Sequence, residues 1–148
     1  MTRLPLSAVL ITRNCASSLA ATLASLSFCD EIVVVDSDSD DGTRELALAH
    51  GAQVHTREWT GFGPQKRLAV SLASHDWVLA IDSDEVVSDA LRASIERELV
   101  SPTHGAYAFP RCNRFLGRYL RHGEGYPDWS LRLFDRREAN WTEDLVHE

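Results

Sequence analysis

Short apolar runs alternate along the chain with segments in which apolar residues recur every three or four positions. The run Glu31–Asp36 is almost continuously β-branched, which is typical of a strand buried on both faces of a parallel sheet. Ala16–Leu26 carries leucines on one face and is typical of an amphipathic helix. The pattern predicts strands at Leu6–Thr12, Glu31–Asp36, Gln53–Thr56 and Trp77–Asp82, and helices at Ala16–Leu26, Thr43–His50, Pro64–Ala73 and from a cap at Ser88 or Asp89 to about Leu99. This alternation indicates an α/β fold with a parallel sheet and crossover helices.

The pattern becomes less regular after Ser101-Pro102. Ala106–Pro110 and Ser130–Phe134 are predicted strands, and the segment between them, rich in arginine, glycine and aromatic residues, is predicted to be a loop. At 148 residues the chain has the length of one domain. We therefore expect residues 1–148 to form a single domain with a less regular second half.

The charge balance bears on the partners of the chain. With 15 Lys and Arg against 22 Asp and Glu, the net charge is −7, so the chain is a poor general binder of nucleic acid. Arginines are concentrated in Arg111–Arg137, a segment that holds few acidic residues. This segment is either a solvated surface or a contact for an anionic partner, such as an anionic glycolipid or a membrane surface.

The cysteines and the apolar runs indicate the compartment. Three widely spaced cysteines without a CxxC motif are typical of a reducing environment. The longest apolar runs are much shorter than the roughly 20 residues of a membrane span. We expect a cytoplasmic protein, with peripheral contact at the inner face of the cytoplasmic membrane through Arg111–Arg137.

Acidic residues directly follow two of the predicted strands. One cluster is Asp36–Asp41 and the other is Asp82–Glu85. Ligands of open α/β sheets bind at the carboxyl ends of the strands, where both clusters are expected to lie. Closely spaced carboxylates repel one another unless a divalent cation or hydrogen-bond donors lie among them, and Mg²⁺ or Mn²⁺ suits such oxygen ligands together with substrate phosphates. The alternative is that both clusters are polar turns.

Other phosphate and metal sites fit these clusters less well. An EF-hand loop counted from Asp36 would need glycine at Asp41 and glutamate at Ala47. A dinucleotide-binding fold would need GxGxxG where the chain has Thr12–Cys15. A phosphohydrolase with an aspartyl nucleophile from either cluster remains open, although Lys66 is the one lysine in the sequence that could grip a phosphate.

Several segments together resemble a known enzyme family. Three segments resemble family 2 glycosyltransferases of the GT-A fold: Leu10–Asn14, Val34–Thr43 and Ile81–Glu85. Three further segments resemble the bacterial lipopolysaccharide-core β-1,4-glucosyltransferase group: Trp59–Arg67, Trp129–Phe134 and Val146–Glu148. The resemblance implies a three-layer α/β/α domain with a mostly parallel central sheet. It also implies an inverting, metal-dependent enzyme that moves a sugar from a nucleotide-diphosphate donor, expected to be a UDP-sugar, to a glycan or glycolipid acceptor.

The same resemblance implies roles for individual residues. The nucleotide sugar is expected to contact Thr12, Arg13, Asn14, Asp36, Asp38, Lys66, Asp82 and Ser83. Asp36 stands where family members bind the base, usually uracil, and Asp38 stands where glycine is usual. Asp84 and Asp82 belong to the DxD motif and are expected to hold Mg²⁺ or Mn²⁺, which neutralises the diphosphate leaving group.

Direct displacement at the anomeric carbon also needs a base that deprotonates the acceptor hydroxyl. The candidates are Asp144 and Glu148, with Glu143 third, all of which follow Trp141-Thr142. Members of the group continue beyond the position of Glu148, so we expect a domain shortened at its C-terminus. The alternative is a nucleotide-sugar-binding module without turnover.

Overall fold

The computed structural model describes residues 2–110, 115–116 and 129–138. Its strands are β1 (Leu6–Thr12), β2 (Glu31–Asp36), β3 (Gln53–Thr56), β4 (Trp77–Ala80), β5 (Val86–Val87), β6 (Ala106–Pro110), β7 (Phe115–Leu116) and β8 (Trp129–Asp135). Its helices are α1 (Ala16–Ser25), α2 (Thr43–Ala49), α3 (Phe62–Leu72) and α4 (Asp89–Glu98).

The main sheet has the strand order β3-β2-β1-β4-β8-β6. The four strands β3, β2, β1 and β4 are parallel, whereas β8 runs antiparallel to both β4 and β6. The register pairs Thr12 with Asp36 and Val9 with Ala80, so the carboxyl ends of β1, β2 and β4 meet at one edge. The predicted parallel sheet is confirmed, and its antiparallel part comes from the second half of the chain.

Helices cover both faces of the sheet. On one face Leu19, Leu23 and Ile95 pack into the cluster that contains Val34 and Leu79. The other face is formed by Val9, Val33, Val35, Val78 and Ala80, against Ala69, Val70 and Ala73 of α3. Each buried valine, leucine or isoleucine side chain stabilises the fold by roughly 1.5–3 kcal/mol. The predicted three-layer α/β/α architecture is therefore confirmed.

The first three strands and β6 have the predicted bounds, and the other predicted elements differ at their ends. Strand β4 ends at Ala80 rather than Asp82, because the chain turns there: Glu85 donates its backbone N–H to the carbonyl of Asp82. Helix α3 begins at Phe62, two residues before Pro64, and Gln65 closes its first turn onto the carbonyl of Gly61. Ser88 rather than Asp89 caps α4, since the Ser88 hydroxyl accepts the N–H of Leu91 at 3.0 Å.

Two short strands were not predicted. Val86–Val87 pairs in parallel with Phe115–Leu116 in a separate two-stranded sheet. The prediction of an uninterrupted loop between β6 and β8 is therefore wrong at Phe115–Leu116. Two-residue strands carry no readable periodicity, because a period of two needs several residues to show.

None of the helices among the described residues is long and apolar enough to cross a membrane. The longest of them, α3, has 11 residues.

Candidate functional site

The loops after β1 and β2 are joined through Asp36, at the carboxyl edge of the sheet. The Asp36 side chain is fully buried, and its oxygens accept the Thr12 hydroxyl at 2.6 Å and the Ser39 backbone N–H and hydroxyl at 2.9 and 2.6 Å. Arg44 lies 3.7 Å from the same carboxylate. The structure therefore places Asp36 beneath the surface of the site, where these donors hold it, and burial makes it inaccessible as an aspartyl nucleophile.

A second set of hydrogen bonds joins the same two loops nearer the surface. Asn14 donates its backbone N–H to the Ser39 hydroxyl at 2.8 Å, and its side-chain oxygen accepts the N–H of Asp40 at 2.9 Å. Asp41 accepts hydrogen bonds from Thr43 and from the N–H of Ala16. The Thr43 hydroxyl and the Ala16 N–H lower the pKa of the Asp41 carboxyl. Asn14, Asp36 and Asp41 thus fix the shape of the loops.

A cleft opens above these loops. It is lined by Ile11, Thr12, Arg13, Trp59, Phe62 and Ser83. Three of these, Thr12, Arg13 and Ser83, are residues that the sequence predicts to contact the nucleotide sugar. The carbonyl of Ser83 accepts the hydroxyls of Ser18 and Thr22 at 3.1 and 3.0 Å, so α1 holds the Ser83 backbone in place.

Asp82 lies between two cationic side chains. Its carboxylate is 3.9 Å from the Lys66 ammonium and 3.8 Å from the Arg132 guanidinium. Lys66 and Arg132 are buried, and both line a small pocket with Asp82, next to β1 and β4. The structure therefore brings the predicted residues Lys66 and Asp82 together and adds Arg132.

Glu85, the last residue of the second acidic cluster, completes this arrangement, and its contact with Arg132 was not predicted. Both of its oxygens accept hydrogen bonds from Arg132, at 2.6 and 2.9 Å, and Oε1 also accepts the N–H of Asp82 at 2.9 Å. One signal pointed to Arg132: it is a charged residue at the centre of the apolar run Ser130–Phe134. An arginine there needs a buried acidic partner.

The remaining acids of the two clusters face solvent. Asp84 is exposed and directly follows Ser83 of the cleft wall. Asp38 is exposed with a φ of 53°, a left-handed conformation that suits glycine, the residue that the family resemblance implies here. No group of three His, Cys, Asp or Glu side chains able to hold a metal ion occurs among the described residues. One or two carboxylates suffice for Mg²⁺ or Mn²⁺ when substrate phosphates supply further ligands, so Asp84 with Asp82 fits such an ion.

Several predicted residues lie outside the described part of the chain. Among them are the base candidates Asp144, Glu148 and Glu143, and most of the arginine-rich segment. Its three described arginines have acidic neighbours: Arg132 contacts Glu85, Arg136 contacts Asp76, and Arg137 contacts Asp135. These three charges are therefore at least partly balanced within the chain.

Part of this chain is similar in sequence to known glycosyltransferases. An uncharacterised glycosyltransferase of Rickettsia felis is 40% identical over 103 residues, which are 69% of this chain and 36% of that protein. The lipopolysaccharide core biosynthesis glycosyltransferase LpsC of Rhizobium meliloti is 38% identical over 95 residues, which cover 61% of this chain and 35% of that protein. The chain thus spans about a third of the length of these relatives.

A solved structure has the same fold. Glucosyl-3-phosphoglycerate synthase from Mycobacterium tuberculosis, in complex with Mn²⁺, UDP and glucosyl-3-phosphoglycerate, matches with a TM-score of 0.60 and 26% identity. The match covers 70% of this chain and 42% of that one. It supports the GT-A arrangement that the family resemblance implies. The model of the family named "Glycosyl transferase family 2" matches residues 7–147, and this chain therefore belongs to that family.

Proposed function

We propose that this chain is a GT-A domain of an inverting, metal-dependent glycosyltransferase that uses a nucleotide-diphosphate sugar, with uridine as the nucleoside. One observation carries the proposal: Thr12, Arg13 and Ser83 line a single cleft at the carboxyl edge of the sheet, and Ser83 is the middle residue of the Asp82-Ser83-Asp84 turn. Ligands of open α/β sheets bind at this edge. The synthase with bound UDP and Mn²⁺ supports the choice of donor and ion.

The DxD turn would hold the metal through Asp84, with Asp82 as the second acid. When bound, Mg²⁺ or Mn²⁺ neutralises charge that develops on the diphosphate leaving group. The Lys66 ammonium and the Arg132 guanidinium, 3.9 and 3.8 Å from the Asp82 carboxylate, would hold it electrostatically beside the cleft. Exposed Arg13 adds a positive charge at the mouth of the cleft, where a diphosphate would enter.

Inversion requires direct displacement at the anomeric carbon. The acceptor hydroxyl oxygen forms the new bond to that carbon while the bond to the diphosphate oxygen breaks. Asp144 or Glu148 takes the hydroxyl proton in this proposal, as the family resemblance implies.

The acceptor is proposed to be a glycan or an anionic glycolipid, with lipopolysaccharide core as the candidate that the relative LpsC supports. We place the reaction in the cytoplasm, at the inner face of the membrane, with Arg111–Arg137 as the contact to the anionic surface. Such contact should weaken as salt screens the charges. Sedimentation with anionic vesicles at low and high salt tests it, and absent or salt-independent binding would contradict it.

Calorimetric titration with UDP, with and without Mn²⁺, tests the donor site. We expect metal-dependent binding by the parent chain and loss of the metal-dependent part in Asp84→Ala. Because Asp84 is exposed, the variant should fold as the parent does. Asp89→Ala, which removes another exposed aspartate in the first turn of α4, is the matched control and should bind like the parent.

The outcomes separate the candidate functions. Equal binding by Asp84→Ala and the parent would show that Asp84 does not hold the metal. Binding of UDP and Mn²⁺ without sugar transfer to any tested acceptor would favour the nucleotide-sugar-binding module over the transferase.

A further inference from the structure

Two aromatic side chains stand exposed in the wall of the cleft. Trp59 is 46% and Phe62 47% exposed, and both line the cleft with Thr12, Arg13 and Ser83. Their ring centroids are 4.9 Å apart and their planes are nearly perpendicular, at 87°. In such an edge-to-face pair, the ring that contributes its edge keeps both of its faces clear of the other ring. The pair thus offers an aromatic face for a further ring.

The loop that carries the pair is held to the rest of the site. The Thr60 hydroxyl donates to the Gln65 side-chain oxygen at 3.0 Å, and the Gln65 amide nitrogen donates to the Ser37 hydroxyl at 3.2 Å. Gln65 is 1% exposed, so this connection to the loop after β2 is shielded from water. Gly61, between the two aromatic residues, has a φ of 109° that few other residues adopt. The aromatic rings are therefore positioned in advance, which lowers the entropy cost of binding.

The two parts of the cleft wall differ in chemistry. Thr12, Arg13 and Ser83 of the wall supply polar and charged groups, which suit a diphosphate, and Asp82 and Asp84 adjoin Ser83 along the chain. Ile11, Trp59 and Phe62 supply apolar surface. A nucleoside diphosphate has the same division, because its phosphates are charged and its base presents a flat π-face.

We propose that Trp59 and Phe62 form the stacking surface for the base of the nucleoside diphosphate and contribute a large part of its affinity. This inference rests on the proposed function, because it takes the diphosphate to lie near the Asp82-Ser83-Asp84 turn. Stacking of a base on an aromatic side chain is tolerant of the base identity. The pair therefore sets affinity for nucleotides in general, and selection of one base falls to other groups of the site.

Two probes separate the base from the phosphates. Calorimetry with UDP and Mn²⁺ measures both parts, whereas inorganic pyrophosphate and Mn²⁺ measure the phosphate part alone. We expect Trp59→Ala to weaken UDP binding by roughly 5- to 150-fold and to leave pyrophosphate binding unchanged. Phe62→Ala should act in the same direction, and Trp59→Phe should retain most of the affinity because it keeps a π-face.

Leu48→Ala is the control for loss of an exposed apolar side chain. Leu48 lies on α2, is 59% exposed and does not line the cleft, so its removal should change neither affinity. Thermal unfolding of each variant checks that the exposed substitutions leave the fold intact.

Three results would overturn the inference while the proposed function stands. Unchanged UDP affinity in Trp59→Ala would assign the aromatic pair to another ligand, such as an acceptor sugar. An equal loss of UDP and pyrophosphate binding would point to a general disturbance of the cleft. If the parent chain binds UDP no more tightly than pyrophosphate, each with Mn²⁺, the base adds no affinity. That result would refute stacking but would leave the phosphate site supported. If the parent binds neither probe, the proposed function itself fails, and the inference fails with it.

Discussion

Arg132 and Glu85 form a two-pronged ion pair beside the Asp82-Ser83-Asp84 turn, with both carboxylate oxygens accepting guanidinium N–H groups at 2.6 and 2.9 Å. Their side chains are only 2% and 4% exposed. The pair ties β8 to the turn after β4, and Glu85 also accepts the N–H of Asp82. It therefore connects the antiparallel part of the sheet to Asp82.

Removal of either partner should leave an uncompensated buried charge. We expect Arg132→Met to lower the free energy of unfolding by about 3–5 kcal/mol. Glu85→Gln should also be destabilising, and the double variant should lose clearly less than the sum of the two single losses. Urea unfolding of the four proteins measures the coupling, and strictly additive losses would mean that the pair does not act as a unit.

Asp36 is expected to act mainly on stability, because its buried oxygens already accept hydrogen bonds from Thr12 and Ser39. Asp36→Asn places an N–H₂ where an acceptor is needed and should cost about 1–3 kcal/mol of unfolding free energy. Asp38→Asn, at an exposed side chain of the same loop, is the control and should change stability little. If Asp36 instead contacts the base directly, Asp36→Asn will weaken UDP binding in calorimetry while its unfolding curve matches that of the parent.

The backbone at Asp38 lies in the left-handed region, with a φ of 53°. Glycine adopts this conformation without steric cost, so Asp38→Gly should raise the free energy of unfolding by about 0.5–1 kcal/mol, once the greater freedom of glycine in the unfolded chain is subtracted. Asn14 has a similar φ of 48°, but its side chain accepts the N–H of Asp40. In urea unfolding, Asn14→Gly should therefore raise the free energy of unfolding by less than Asp38→Gly does. The reverse order would show that backbone strain at Asp38 is negligible.

Acid should weaken the hydrogen bonds through which Asp41 joins the loops after β1 and β2. Hydrogen bonds from the Thr43 hydroxyl and the Ala16 N–H lower the pKa of Asp41 in the folded protein. Its contribution to stability is therefore fully present above the ordinary value of about 3.9 and is lost as the pH falls through the lower folded pKa. When the pH is lowered from about 5 to about 2, the free energy of unfolding should fall more for the parent than for Asp41→Asn. An Asp40→Asn control should follow the parent, and an identical pH dependence in Asp41→Asn would contradict the prediction.

The sequence was sufficient for the parallel half of the fold. β-Branched runs such as Glu31–Asp36 and the leucine spacing of Ala16–Leu26 are local patterns, because burial on one or both faces repeats within a few residues. The bounds of β1, β2 and β3 agree with the prediction residue by residue. The edge at which the acidic clusters meet followed from the same reasoning, because parallel strands place their carboxyl ends together.

The tertiary structure alone decided what each acid does. Asp36 and Asp84 look alike in sequence, since each lies in a cluster directly after a strand, yet Asp36 is fully buried among donors and Asp84 faces solvent. Glu85 and Arg132 are 47 residues apart and meet only because β8 inserts antiparallel beside β4. Trp59 and Phe62 join the cleft because α3 begins at Phe62, close to the end of β1. Local periodicity depends on neighbours along the chain, whereas these roles depend on which strands and loops lie side by side, and short-range sequence carries little information about that.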